Sequence, residues 1–282
     1  MREKKDFFGI LAIRLSVLLV LVSLFAILVF VSLNGLKVLS IGFLFESPKE
    51  GMTKGGIFPA IVGSLWLSLG SICFALPLGV LSAIYLAEYA KGRRFIRIIK
   101  VGINALAGVP SVVFGLFGLA VFVKFFGFGV SILSGSLTLG ILILPTIIRA
   151  SEEAVLAVPQ DFRDASFALG ANKWQTVRKA VLPSALPGIL TGAILGIGRA
   201  AGETAPILFT AATFYQRWLP HSIFDEVMAL PYHIYALMTE GTSPRYQVPI
   251  AYGTALVLLL LVLGINLVAI IVRTRARRAK KW

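Results

Sequence analysis

Acidic residues, histidines and cysteines are all scarce in this 282-residue chain: 13 Asp and Glu stand against 27 Lys and Arg, with two His and one Cys. A single cysteine cannot close an intrachain disulfide, and Cys73, inside an apolar stretch, reads as a packing residue. His221 and His233 lie twelve apart with no carboxylate arrangement around them, so they read as surface or interface residues; no metal site is expected and no chemistry is assigned to them. Charge of either sign is thin, 14% of residues against 57% hydrophobic, which is too apolar for a soluble domain of this length. No apolar stretch carries a nucleophile with a base and an orienting partner, so an enzyme is the least supported class and no catalytic residue or cofactor is expected.

What the chain has in abundance is long apolar runs. Six fit the roughly 20 residues needed to cross a bilayer: about 11 to 33, 59 to 87, 101 to 126, 132 to 150, 185 to 212 and 248 to 272. The first is longer than a signal-peptide core and is followed by no convincing cleavage site, so a retained anchor is expected. With the N-terminus placed in the cytoplasm, 20 of the 27 basic residues fall on inner segments and six on outer ones, which predicts that both termini are inside. The same asymmetry accounts for the net charge of +14 without nucleic acid. The first span is Leu/Val-rich all round and suits a lipid-facing anchor (residues 1–33). Glycine and proline crowd the later five, which are expected to form the working core (59–272), followed by a basic tail (273–282).

One span contradicts its own hydropathy. The stretch Ser184 to Ala212 carries Arg199 and Glu203. On a helix, Gly188, Gly192, Gly196, Arg199 and Glu203 fall within a stripe roughly 80° wide. Glycines at this spacing suit the close approach of another backbone, or an open passage. An arginine near the midplane costs on the order of 2.5 to 3.5 kcal/mol even on the lenient insertion scale, so it must face protein or water. Two readings stay open: an internal ion pair that holds a bundle together, or a pair lining the route of a polar solute. Pro206 cannot donate to the carbonyl of Gly202, which predicts a kink or break just past the charges.

Between the fourth and fifth spans an inner loop of about 151–183 looks ordered. Pro159 fits a helix start, Gly170 a helix stop, and Asn172 with Gln175 an N-cap and its partner, predicting two short helices meeting at a glycine bend. Its pattern would also allow a hairpin lying on the membrane surface. The outer segment, about 213 to 247, is expected to hold one or two short interfacial helices.

The run Asp164, Ala165, Ser166, three residues, Gly170, nine residues, then Ala180, Val181, Leu182, Pro183 resembles the EAA loop of ABC importer permeases: Glu-Ala-Ala, three residues, Gly, nine residues, Ile, any residue, Leu-Pro. Asp replaces Glu, Ser the second Ala, and Ala180 the Ile. Together with LAGVPSVVFGLFG at 106–118 and GRAAGETAPILFTA at 198–211, the match over about 55–215 is similar to the PstA family of phosphate importer permeases. The resemblance implies an all-α fold of six transmembrane helices, a MetI-like permease core with an added N-terminal helix, in the bacterial cytoplasmic membrane. It implies a second permease, PstC, two copies of the ATPase PstB and a phosphate-binding protein as partners. Because Gly-x-x-x-x-Gly-Lys-Ser/Thr is absent, ATP would be hydrolysed by that partner. The resemblance further implies an ATPase-coupling role for Asp164, Ala165, Ser166, Phe167 and Gly170, and alternating access. On that reading Arg199, Glu203 and Thr204 line the phosphate route, and Gly188, Gly192 and Gly196 serve helix packing. An importer of another oxyanion or of phosphonate, or an ATP-independent secondary transporter, are the alternatives.

Overall fold

In the computed structural model, residues 2–90 and 92–278 are described; Lys91 and residues 279–282 of the expected tail, with Lys280 and Lys281, lie outside the described residues. The long helix α1 (Arg2–Gly35) is followed by α2 (Ile41–Phe45), whose Ser40 side chain accepts from the Phe43 amide. A short antiparallel ribbon pairs β1 (Pro48–Lys49) with β2 (Lys54–Gly55), Pro48 opposite Gly55. α3 (Phe58–Ile84) enters through Pro59 and runs on into a π-helical turn, Tyr85–Tyr89. Then come α4 (Arg93–Ala107), α5 (Ser111–Gly118) with its π-helical continuation Leu119–Phe125, and α6 (Ile132–Leu156). The hairpin α7 (Gln160–Ala168) and α8 (Lys173–Thr176) leads through the π-helical turn Val177–Val181 into α9 (Leu182–Gly202). α10 (Ala205–Leu208), α11 (Leu230–Thr239) and α12 (Pro244–Arg278) complete the chain.

Among the described residues five helices are long and apolar enough to cross a membrane, Ile13–Gly35, Phe58–Tyr89, Ile132–Leu156, Lys173–Gly202 and Pro244–Arg275. A sixth span exists only if Ile96–Ala107 and Ser111–Phe125, bent by 99° at their junction, are counted as one. The expectation of a continuous helix over 101–126 is corrected here. Pro110 has no amide to donate and disfavours helical geometry at the residue before it, so α4 stops at Gly108 and α5 starts afresh at Ser111. The expected span 185–212 is shortened for a related reason. α9 ends at Gly202, Glu203 is extended (φ −76°, ψ 129°), and Pro206 occupies the first turn of α10, where its missing N–H is harmless.

α6 is the axis of the bundle, two-thirds buried along its most apolar window, with α3 against one side and α9 against another. Ile72 and Ala75 of α3, Phe114 of α5, Leu142, Ile143 and Ile147 of α6, and Ala193 and Ala200 of α9 form one cluster. Lipid removes most of the hydrophobic drive between helices, so close packing of small residues supplies the contact energy instead. Gly140 of α6 admits the ring of Phe74, and Gly79 of α3 lies against Ile147. α1 is bare by contrast: none of its most apolar window is buried, and it leans on α12 through Phe30, edge-on to Tyr252 at 5.6 Å. Cys73 points out of the bundle rather than into its packing, exposed on α3 and unpaired.

Candidate functional site

Two polar regions stand out, one at the break after α9 and one at the α7–α8 hairpin. On α9, Gly188 and Gly192 face α6 so closely that an added Cβ would lie 2.5 Å and 2.6 Å from the Cβ atoms of Ala154 and Ala150. At both positions the missing side chain lets α6 come close. Arg199, in the last turn, is turned off that face and stands with Leu195 and Gly202 on the open side of the helix. Its Nε donates to Glu203 Oε1 at 3.3 Å, with side-chain exposures of 40% for Arg199 and 18% for Glu203. Glu203 points inward, where with Ser64 and Ser68 of α3, Leu139 of α6 and Pro231 of α11 it borders a cavity of about 10 Å³. Thr204, the residue before α10, is partly exposed beside it.

Depth follows from the neighbours. Gly196 lies against Ile143 and Ile147 of α6 and Ala200 belongs to the same cluster, so the turn of α9 that carries Arg199 stands level with the middle part of α6 rather than with either end. α11 reaches toward this level from the expected outer side: the Leu230 amide donates to Ser64 Oγ at 2.7 Å. It is the short helix expected in the outer segment. His233, expected at a surface or interface, is 2% exposed on α11, and neither ring nitrogen has a partner among the described residues. Burial pushes its pKa down to about 4. His221 is exposed, as read, with its amide on Asp225 Oδ2.

At the hairpin, Gly170 takes φ +80°, a left-handed turn open to glycine at little cost, and Asn172 and Gln175 form a reciprocal capping box that starts α8. Ser166 and Thr176 hydroxyls meet at 2.9 Å across the bend. Gln160 Nε2 donates to Asp164, whereas Phe167, Leu169 and Trp174 stand exposed, Leu169 by 89%. Ala165 and Gly170 also lie on the exposed side. Behind the hairpin is a cleft of about 620 Å³ bordered by Glu88, Leu156, Pro159, Arg163, Phe167 and Lys173.

Several polar contacts escaped the sequence reading because their partners are distant in the chain. Arg163 meets Glu88, Lys100 Nζ meets Glu152 Oε1 at 2.6 Å, Arg149 donates to Asn104, and Arg273 reaches Thr191 Oγ1 at 3.2 Å. Asn104, and Asn266, whose amide lies against Gly198, carried the available signal: a lone amide inside an apolar span.

This multi-pass helical bundle, with a charged break inside one span and a stiffened helical hairpin at one end, is that of a membrane transport component rather than an enzyme, the class its family and relatives define. The chain belongs to the binding-protein-dependent transport system inner membrane component family, whose model matches residues 75–281. It is 37% identical over 261 residues to the probable ABC transporter permease protein YqgI of Bacillus subtilis, covering 89% of this chain and 87% of that one. It is 42% identical over 226 residues to the phosphate transport system permease protein PstA of Mycobacterium leprae, covering 79% and 72%. In fold it is similar to a chain of the MetNI methionine ABC transporter in an inward-facing conformation, with a TM-score of 0.63 at 20% identity over 77% of this chain and 94% of that one. A chain of a bacterial ABC transporter involved in the import of the acidic polysaccharide alginate gives a TM-score of 0.63 at 18% identity, covering 99% of this chain and 98% of that one. The MetI-like permease fold expected from the loop is the fold observed.

Proposed function

We propose that this chain is one of two permease subunits of an ATP-driven importer that carries inorganic phosphate across the bacterial cytoplasmic membrane by alternating access. Relatives named as phosphate permeases, including the Haemophilus influenzae PstA at 32% identity over 83% of this chain, support the substrate class. The observation that carries the reading is the position of Arg199, at mid-bundle on the open side of α9. Against acyl chains a cation there is disfavoured by at least roughly 2.5 kcal/mol. A homologous permease, PstC, covering that face, with a watered seam between the two, removes the cost and leaves a fork of N–H donors beside the passage.

Arginine is permanently charged and matches two phosphate oxygens at once, while Glu203 accepts a proton-bearing phosphate oxygen and offsets the charge so that the anion is not held too tightly. Thr204 completes the route. Two PstB ATPases would take the hairpin through Asp164, Ala165, Ser166, Phe167 and Gly170, a phosphate-binding protein would deliver from outside, and both termini would lie in the cytoplasm. Residues 1–33 then serve as the peripheral anchor and 59–272 as the permease core. In the reconstituted complex, Arg199→Gln is expected to lower phosphate uptake by at least about tenfold while the ATPase still copurifies. Uptake at the wild-type rate rejects the route, and competition by sulfate or phosphonate equal to that by phosphate rejects the substrate.

A further inference from the structure

Glu88 closes α3, in the π-helical turn Tyr85–Tyr89, and Arg163 lies in α7, 75 residues on. Both side chains are nearly enclosed, 10% and 11% exposed. Arg163 Nε and Nη2 donate to the same oxygen, Glu88 Oε1, at 2.9 Å and 2.8 Å. Its Nη1 donates to the Val158 carbonyl at 2.6 Å and its Nη2 to the Val155 carbonyl at 3.0 Å, at the end of α6. Lys173, the first residue of α8, donates to the backbone carbonyl of Glu88 and sits 5.0 Å from the centre of the Tyr89 ring.

No residue of α7 is fully buried; Phe162 packs against the cluster of Ile84, Val155 and Val158, Ser166 meets Thr176, and Arg163 supplies the ion pair from α7 to the end of α3. α6 and α9 are covalently continuous with the hairpin and must follow it. α3 is not: at its hairpin end Ile84 shares an apolar cluster with Val155, Val177 and Val181, and the guanidinium and the Lys173 ammonium add the charged, directional ties to it. At the opposite half of α3, Ser64 and Ser68 form the wall across from Glu203. Charge-assisted bonds between groups this enclosed are short and stiff, so they carry a push without slack. A π-helical turn at the same point marks a place where helix geometry is adjustable.

We propose that Arg163 is a positioning residue that conveys movement of the hairpin to α3 through Glu88, so that the helix facing Glu203 shifts when the ATPases close. This rests on the reading of the hairpin as the ATPase-docking element. The test uses the complete complex in liposomes, reading phosphate imported per ATP hydrolysed, with copurification of the ATPase read alongside. Arg163→Gln and Glu88→Gln are each expected to lower that ratio by about fivefold or more with the ATPase still bound. Arg163→Lys, which keeps charge but loses the fork, is expected to fall between.

A merely structural role predicts less assembled complex but an unchanged ratio in what remains, and that result overturns the proposal, as does a wild-type ratio in a fully assembled variant. Glu88→Gln, nearly isosteric, keeps the test decisive where Arg163→Gln does not accumulate. Failure of the wild-type chain to bind an ATPase or move phosphate strikes the function proposed above; normal import by the wild type with an unmoved ratio in the variants strikes only the joint.

Discussion

Arg199 and His233 are both polar side chains held deep in an apolar molecule, and they meet the cost of it differently. Arg199 takes Glu203 as a partner at 3.3 Å and leaves the bundle on its open side. His233, on α11 and outside the membrane-spanning helices, is enclosed and holds its neutral form, its pKa lowered from 6.5 to about 4 by burial. The sign of the linkage follows. The unfolded chain takes up this proton before the folded one does, so the stability associated with neutral His233 is complete above about pH 6.5 and is lost as the pH falls toward 4. The loss is on the order of 3 kcal/mol at most. Melting temperatures of the purified protein between pH 7.5 and 4.5 are expected to fall more steeply for the wild type than for His233→Phe. Parallel curves would refute the assignment.

At the scale of elements, the α6–α9 contact depends on what two glycines omit. Any side chain at Gly192 must push Ala150 away, since even a Cβ would lie 2.6 Å from it. Gly192→Leu is therefore expected to destabilise by roughly 1–3 kcal/mol or more through overpacking, visible as a lower melting temperature and poorer yield. Gly264→Ala on α12 is the control, because an added methyl there meets nothing within 4 Å. It is expected to leave stability unchanged or raise it by up to about 1 kcal/mol through helix propensity. The same close contact ties α9 to the helix that leads into α7, so the polar break and the hairpin sit at two ends of one stiff pair. The 99° bend between α4 and α5 has the opposite character. It turns α4, with Arg94, Arg97 and Lys100, away from the direction of α5 and lets Lys100 and Asn104 reach Glu152 and Arg149 on α6.

For the whole molecule, orientation is a matter of charge. Twenty of 27 basic residues fall on one set of connecting segments, and moving that many cations across the bilayer is disfavoured during insertion. Protease-cleavable tags placed before Met1 and after Trp282 are expected to be cut in inside-out vesicles and protected in intact cells stripped of their outer layers. Cutting in the intact cells would reverse the topology, and with it the face on which the hairpin meets an ATPase.

The number of apolar runs, their glycine-rich character, the EAA-like spacing and the glycine bend were legible directly, because each is a local property. Hydropathy needs only a window of residues, and Gly170, Asn172 and Gln175 act within a turn of one another. Hydropathy alone misjudged continuity at Gly108 with Pro110, which break backbone geometry without changing how apolar a stretch is, whereas the break after Gly202 was legible from Pro206. Only the tertiary structure decided which face of α9 each residue takes, that His233 is enclosed, and that Arg163 finds Glu88. Those outcomes depend on which helices become neighbours, and residues 75 apart carry no local mark of the contact they will make.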